Sequence, residues 1–310
     1  MPQIMSRLTL RAGALEAQIA AQAGGSIARF DRLEGEQRLP LLRGNDGADG
    51  DALDAACFPL VPYANRIRDG RFVCDGRSVH LAPNSASDPN PLHGQGWRGA
   101  WQVASAGVDA AELVFEHPAG EWPWRYEARQ RIEIDDGGLN VRLSCRNLSA
   151  EPMPCGLGLH PYFPCAADTE LDAAVSAVWT VDERVLPVER VAAAGRYDLR
   201  RRRICGQGLD TGFEGWDGRA LIRWPGRGLA LRLSSPDAVR FQVWSPAAGG
   251  VFVAEPVHNA NAALNRPQAE WADAGLRLLA RGDEAVLQAR FEVFRDDGAR
   301  RASGVPAAAI

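Results

Sequence analysis

The chain contains no lysine, and all 35 of its basic residues are arginine. That absence excludes a lysine Schiff base, a pyridoxal phosphate anchor, the usual phosphate-loop lysine and the strand lysine of a protein kinase. Long apolar runs are missing as well. None approaches the ~20 residues a membrane helix needs. The N-terminus shows no basic region followed by an apolar run, so no secretory signal is expected. There is no basic excess either: the formal net charge is −4, which argues against nucleic acid as the main partner. The six cysteines include no Cys-x-x-Cys pair and are too few for a disulfide scaffold. Cys57, Cys74, Cys145, Cys155, Cys165 and Cys205 are therefore expected to be reduced, mostly buried thiols in a cytosolic protein. Asn147-Leu148-Ser149 has the form of a glycosylation sequon. Without a secretory signal it reads as a turn after a strand.

Helical periodicity is scarce, and short strands fill the chain. Leu8 and Leu10, then Leu15, Ala17 and Ile19, alternate with polar or small partners, and Gly24-Gly25 supplies a turn before Ile27 and Phe30. Asp69-Gly70 and Asp75-Gly76 precede Phe72-Val73 and Val79–Leu81, a hairpin pattern. Further strands are expected at Trp101–Val103, Glu112–Phe115, Tyr126–Ile134, Leu139–Cys145, Ala220–Trp224, Leu229–Leu233, Val239–Trp244, Val251–Ala254 and Ala285–Phe294. Ala269–Trp271 fits one short helical turn, and Arg200 to Arg203 a solvated loop or edge strand. Many short strands with Gly, Pro and Asp punctuation predict an all-β sandwich or barrel. No fixed-period repeat and no linker appears, so one domain over residues 1–310 is expected, with a frayed tail from Asp297.

Several motifs fail. Gly156-Leu157-Gly158 starts like a dinucleotide loop, but Pro161 stands where the third glycine belongs. Neither His-Glu-x-x-His nor Gly-x-Ser-x-Gly occurs, and the five histidines show no metal-ligand spacing. Three contexts remain. His93 lies in Pro91-Leu92-His93-Gly94, where the glycine permits close approach of a ligand to the backbone. His160 lies in Gly158-Leu159-His160-Pro161-Tyr162-Phe163-Pro164, whose prolines imply an unusual backbone path and whose aromatic pair offers an apolar wall. Glu255-Pro256 closes the apolar run Val251–Ala254, so the carboxylate is expected to project into a cleft, its pKa somewhat raised by partial burial. His80 and His117 read as surface or strand residues. A base and an acid on separate strands suit proton transfer on a β scaffold.

Asn65-Arg66-Ile67, Gly70-Arg71-Phe72, Leu92-His93-Gly94, His160-Pro161-Tyr162-Phe163 and Glu255-Pro256 together, in that order and approximate spacing, resemble the aldose 1-epimerases, or galactose mutarotases. The similarity spans about residues 5 to 295. It implies a galactose mutarotase-like β-supersandwich with a sugar cleft on one sheet face, no cofactor, no metal and a small-molecule sugar as partner. No nucleic acid, membrane or particular oligomeric state is implied, and the location is expected to be cytoplasmic.

By the same resemblance, Glu255 matches the general base that takes the anomeric hydroxyl proton. His160 matches the general acid at the ring oxygen. His93 matches a second histidine near that oxygen. Asn65, Arg66 and Asp210, the last in Gly208-Leu209-Asp210-Thr211-Gly212-Phe213, match sugar contacts. Apart from the resemblance, Trp97, Trp216 and Trp244 have the rings to stack on a sugar face, but core packing is the expected role of any one of them. Two alternatives share the fold: a hexose-6-phosphate 1-epimerase, for which arginines would form the phosphate pocket, and a non-catalytic carbohydrate-binding protein.

Overall fold

The computed structural model describes residues 7–44, 52–86 and 88–296. The frayed tail expected from Asp297 and most of the Asp- and Gly-rich loop after residue 44 lie outside them. The described chain is almost entirely strand, arranged in two large antiparallel sheets packed face to face, a β-supersandwich. The larger sheet has eleven strands. Across its middle run Cys57–Leu60, Gly158–Pro164, Val251–Val257, Arg240–Ser245 and Leu209–Glu214, in that order. The second sheet has nine strands, with Leu229–Ser234, Glu284–Arg295, Gly138–Asn147 and Tyr126–Asp135 at its centre.

Side-chain alternation explains this layering. Along Tyr126–Asp135 every second residue, from Tyr126 to Ile134, is buried; the period of two places them all on one face. Gly137 N–H donates to Asp135 Oδ1 at 2.8 Å, and this Asx turn folds the strand back onto Gly138–Asn147. The same period sorts the middle strands of the larger sheet. Leu159, Phe163, Phe252, Ala254, Phe241 and Val243 face the core between the sheets. Phe163 stacks on Phe252 at 5.2 Å and reaches Phe291 of the second sheet at 6.4 Å. Phe58, Leu60, Tyr162, Val253 and Val257 face the opposite way and form a separate apolar cluster with Trp97 and Trp244. The outer face carrying that cluster is where the chemistry-bearing side chains gather.

Several expectations need correction. Gly158–Pro164 is a regular strand despite its prolines. The strand bearing Glu255 does not stop there but runs on through Pro256 to Val257. Cys165 and Cys205 are joined by a disulfide, Cα to Cα 5.6 Å, so not all thiols are free. Both are partly exposed, unlike buried Cys57, Cys74, Cys145 and Cys155, and the fold brings these two together. Strands at Cys57–Leu60, Glu170–Ala173, Ala177–Val181, Pro187–Ala192 and Leu209–Glu214 were not read from the sequence, although Leu209–Glu214 alternates regularly between buried and half-buried residues. Other readings agree with the structure. The hairpin forms at Arg71–Cys74 and Arg77–His80, Arg202–Arg203 is an edge strand, and Gln268–Glu270 is a short helical turn. Asn147 is fully buried, its side chain bonded to the carbonyls of Glu151 and Leu279, at a strand end.

Candidate active site

The register of the larger sheet builds one row of side chains. His160 pairs with Phe58, Glu255 with Gln242, and Gln242 with Gly212. Between the partners Gly158–Val257 and Tyr162–Val253 the register is continuous, which sets His160 opposite Glu255. Pro161 and Pro256 remove two ladder donors at this crossing, so two prolines flank the pair. His160 Nε2 lies 3.5 Å from Glu255 Oε1, and the imidazole stacks on Phe58 at 4.4 Å and 12°. Two residues along, Tyr162, Val253, Trp244 and Asp210 form a second row on the same face. Gly212 leaves the first row open at its far end.

Loops bring the remaining residues over this face. Asn65 and His93 both sit in the left-handed region, φ 64° and 58°. His93 N–H donates to Asn65 O at 3.0 Å, and Asn65 N–H donates back to His93 Nδ1 at 3.1 Å. Nδ1 is thus an acceptor, and the ring proton belongs on Nε2. The two histidine rings meet edge to face at 5.3 Å. Gly94 follows with φ +71°, and a Cβ there would lie 2.0 Å from Val61 O. Its close approach is to the chain itself, not to a ligand as the sequence suggested. Arg66 donates from Nε to Asp88 at 2.7 Å and reaches Asp210 at 3.6 Å, while Gln242 Nε2 donates to the other oxygen of Asp210 at 3.0 Å.

The site is dry. Glu255 is 2% exposed, and His93 and His160 are each 9% exposed. Burial pushes the Glu255 carboxyl well above the usual range, reinforced by Asp210 and opposed by Arg66. Burial also pushes His160 down to about 3, and His93 well below its ordinary value, with His160 and Arg66 adding to the latter effect. The Asp210 carboxyl is raised by burial, with Arg66 and Gln242 opposing. Far stronger than the partial burial expected, this environment disfavours charge on either member of the His160–Glu255 pair. Among the described residues, Glu255 Oε2, His160 Nδ1 and Gln242 Oε1 are buried without a hydrogen-bond partner.

All six sequence-singled residues, Glu255, His160, His93, Arg66, Asp210 and Asn65, converge on this face. Of the three tryptophans only Trp244 lies on it partly exposed. Trp97 is buried against Phe58 with its Nε1–H on Leu92 O, and Trp216 is buried against Phe241. Residue-level reading missed Gln242, Phe58 and Asp88. Gln242 had a usable signal, an amide between Phe241 and Val243 in an otherwise apolar strand.

Comparison with known proteins bears on the family and the fold. The family model described as aldose 1-epimerase matches residues 6–275. An uncharacterized protein of Escherichia coli K12, YphB, is 36% identical over 85% of this chain and 92% of its own length. Rat galactose mutarotase is 33% identical, over 48% of this chain and 46% of its own. A solved Escherichia coli K12 structure, provisionally assigned as an aldose 1-epimerase, superposes with TM-score 0.84 at 33% identity, covering 94% of this chain and 99% of that one. Galactose 1-epimerase of Lactobacillus acidophilus shares the fold at TM-score 0.74 and 18% identity, covering 93% of each chain. A family model spanning most of the chain, on a fold and a face of this kind, leaves one conclusion: the chain belongs to the aldose 1-epimerase family.

Proposed function

We propose that the chain is a mutarotase, interconverting the α and β anomers of a free aldohexose by acid–base ring opening and closure. The observation that carries this reading is the His160–Glu255 pair, two titratable groups 3.5 Å apart on facing strands and nearly excluded from water. Such a pair takes a proton from one oxygen of a bound sugar and delivers one to another. Hydrogen bonds from sugar hydroxyls favour the carboxylate form of Glu255, and the shared proton moves to His160. Glu255 then accepts the anomeric hydroxyl proton while His160 protonates the ring oxygen. The C1–O5 bond breaks, the aldehyde forms, and rotation about C1–C2 turns its other face. Closure reverses both roles. His93 offers Nε2–H to the ring oxygen, and Arg66, Asp210 and Gln242 supply donors and acceptors for hydroxyls. Asn65 supports the reading by holding His93. Apolar Trp244 and Tyr162 suit a sugar face.

Polarimetry on α-D-galactose, α-D-glucose and α-D-glucose 6-phosphate tests it. Accelerated approach to rotational equilibrium with a free sugar is expected, and activity is expected to survive exhaustive chelation. One observation favours the 6-phosphate reading. The Arg43 guanidinium lies 3.7 Å over the Tyr162 ring and hydrogen-bonds the carbonyls of Leu53 and Ala55. A preference for the phosphate that falls steeply with added salt would favour that alternative. Sugar binding without accelerated mutarotation would leave a carbohydrate-binding protein.

A further inference from the structure

We infer that Asn259 is a positioning residue that sets the tautomer and orientation of His93 through the Ala64–Asn65 backbone. Asn259 lies four residues beyond Glu255, just past the end of that strand, and is 2% exposed. Its side chain takes both backbone groups of Ala64: Oδ1 accepts Ala64 N–H at 3.1 Å, and Nδ2 donates to Ala64 O at 2.9 Å. Its own carbonyl accepts the Asn65 side-chain amide at 3.2 Å. The next backbone N–H along, that of Asn65, is the donor on His93 Nδ1. A chain of four hydrogen bonds therefore runs from the continuation of the Glu255 strand to the His93 ring.

The glycine of the failed dinucleotide pattern finds its explanation here. A Cβ on Gly156 would stand 2.3 Å from Asn259 Oδ1, so only glycine leaves room for the asparagine side chain. Two substitutions thus reach the same contact by different routes. Asn259→Ala leaves the buried N–H and C=O of Ala64 without partners, and a buried unpaired backbone group is costly enough to drive a shift of the segment. Gly156→Ala pushes the asparagine off Ala64. Either shift moves Asn65 N–H away from His93 Nδ1, and nothing then holds the ring proton on Nε2.

The consequence for catalysis rests on the proposed role of His93; the tautomer does not. The experiment is histidine-selective ¹⁵N NMR on the full chain, with His93 identified by His93→Gln. In the native protein a non-protonated Nδ1 and a protonated Nε2 are expected. Both Asn259→Ala and Gly156→Ala are expected to give mixed tautomers, and kcat/KM for galactose mutarotation to fall roughly 10- to 100-fold. Asn265→Ala is the control. Asn265 likewise clasps backbone, at Arg68 and Arg71, but does not touch the Asn65 segment; it should cost stability and leave the His93 signals unchanged. A native His93 protonated on Nδ1 would overturn the inference. So would native His93 signals in whichever of the two variants folds. Mixed tautomers with unaltered kcat/KM would uphold the positioning and count against His93 as a sugar contact.

Discussion

At the scale of single residues, the proposed reaction depends on one proton shared by His160 and Glu255. Glu255→Gln keeps the shape and one hydrogen-bonding oxygen but accepts no proton. Its kcat is expected to fall at least ~100-fold with KM little changed, the mark of an interaction used chiefly in the transition state. His160→Asn should behave similarly, and the two losses should not multiply in the double variant, because the groups act as a unit. Near-native kcat in Glu255→Gln would end the base assignment. The pH profile follows from the shifts. The pair keeps one proton from near the His160 value of about 3 up to the raised value of Glu255. Native kcat/KM should therefore be flat through mildly acidic pH and decline on the alkaline side as that proton leaves. An alkaline limb that persists unchanged in the residual activity of Glu255→Gln would assign the limb elsewhere. Gln242 bridges Glu255's row to Asp210. Gln242→Ala should raise KM more than it lowers kcat.

Elements fix these residues through a few close contacts. The His93 turn fits only because residue 94 lacks a side chain, with its φ of +71° and its 2.0 Å Cβ clearance to Val61 O. Gly94→Ala should destabilise by more than about 1 kcal/mol, since the new side chain meets both a disfavoured conformation and backbone. Denaturant titration beside activity would check this, and a variant of native stability would show that the turn relaxes freely. At the other end of the site strands, Cys165 follows the His160 strand and Cys205 precedes the strand of Asp210. Cys165 N–H donates to Gly250 O, and Gly250 N–H to Cys205 Sγ, so the disulfide also grips the turn between the Gln242 and Glu255 strands. Closing a span of 40 residues, the bond should contribute about 2–4 kcal/mol. Thermal unfolding with and without reductant measures it. Equal midpoints would mean that the bond adds nothing.

For the whole molecule, burying the His160–Glu255 pair costs stability. Burial raises the Glu255 carboxyl above the unfolded value near 4.5, so the folded chain holds that proton to higher pH. Its contribution is complete below about 4.5 and is lost as pH rises toward the folded value. His160 runs the other way: its contribution is complete above 6.5 and is lost as pH falls toward about 3. Glu255→Gln removes the first loss. Its melting temperature should exceed the native one by a margin that grows as pH rises from about 4.5 toward the raised folded value of Glu255. A margin that shrinks over that range would contradict the burial account.

The sequence by itself determined the strand-rich class, because alternation with period two survives wherever a strand is long and half buried, as in Tyr126–Asp135. It also singled out His93, His160 and Glu255, whose Gly and Pro neighbours set them apart from apolar surroundings, whereas Asn65, Arg66 and Asp210 were reached only through the family resemblance. Only the tertiary structure decided their relations. His160 and Glu255 are 3.5 Å apart because two strands far apart in sequence share a register. Cross-strand register also places Gln242 in their row, and a single amide in an apolar strand does not announce its neighbour. Asn259 became legible only once Ala64 lay against it, since the partner of a buried backbone group is chosen by packing. The disulfide was settled the same way, by which two partly exposed cysteines the fold brings within 5.6 Å. Burial, a property of the whole arrangement, then set the direction in which each member of the pair is shifted.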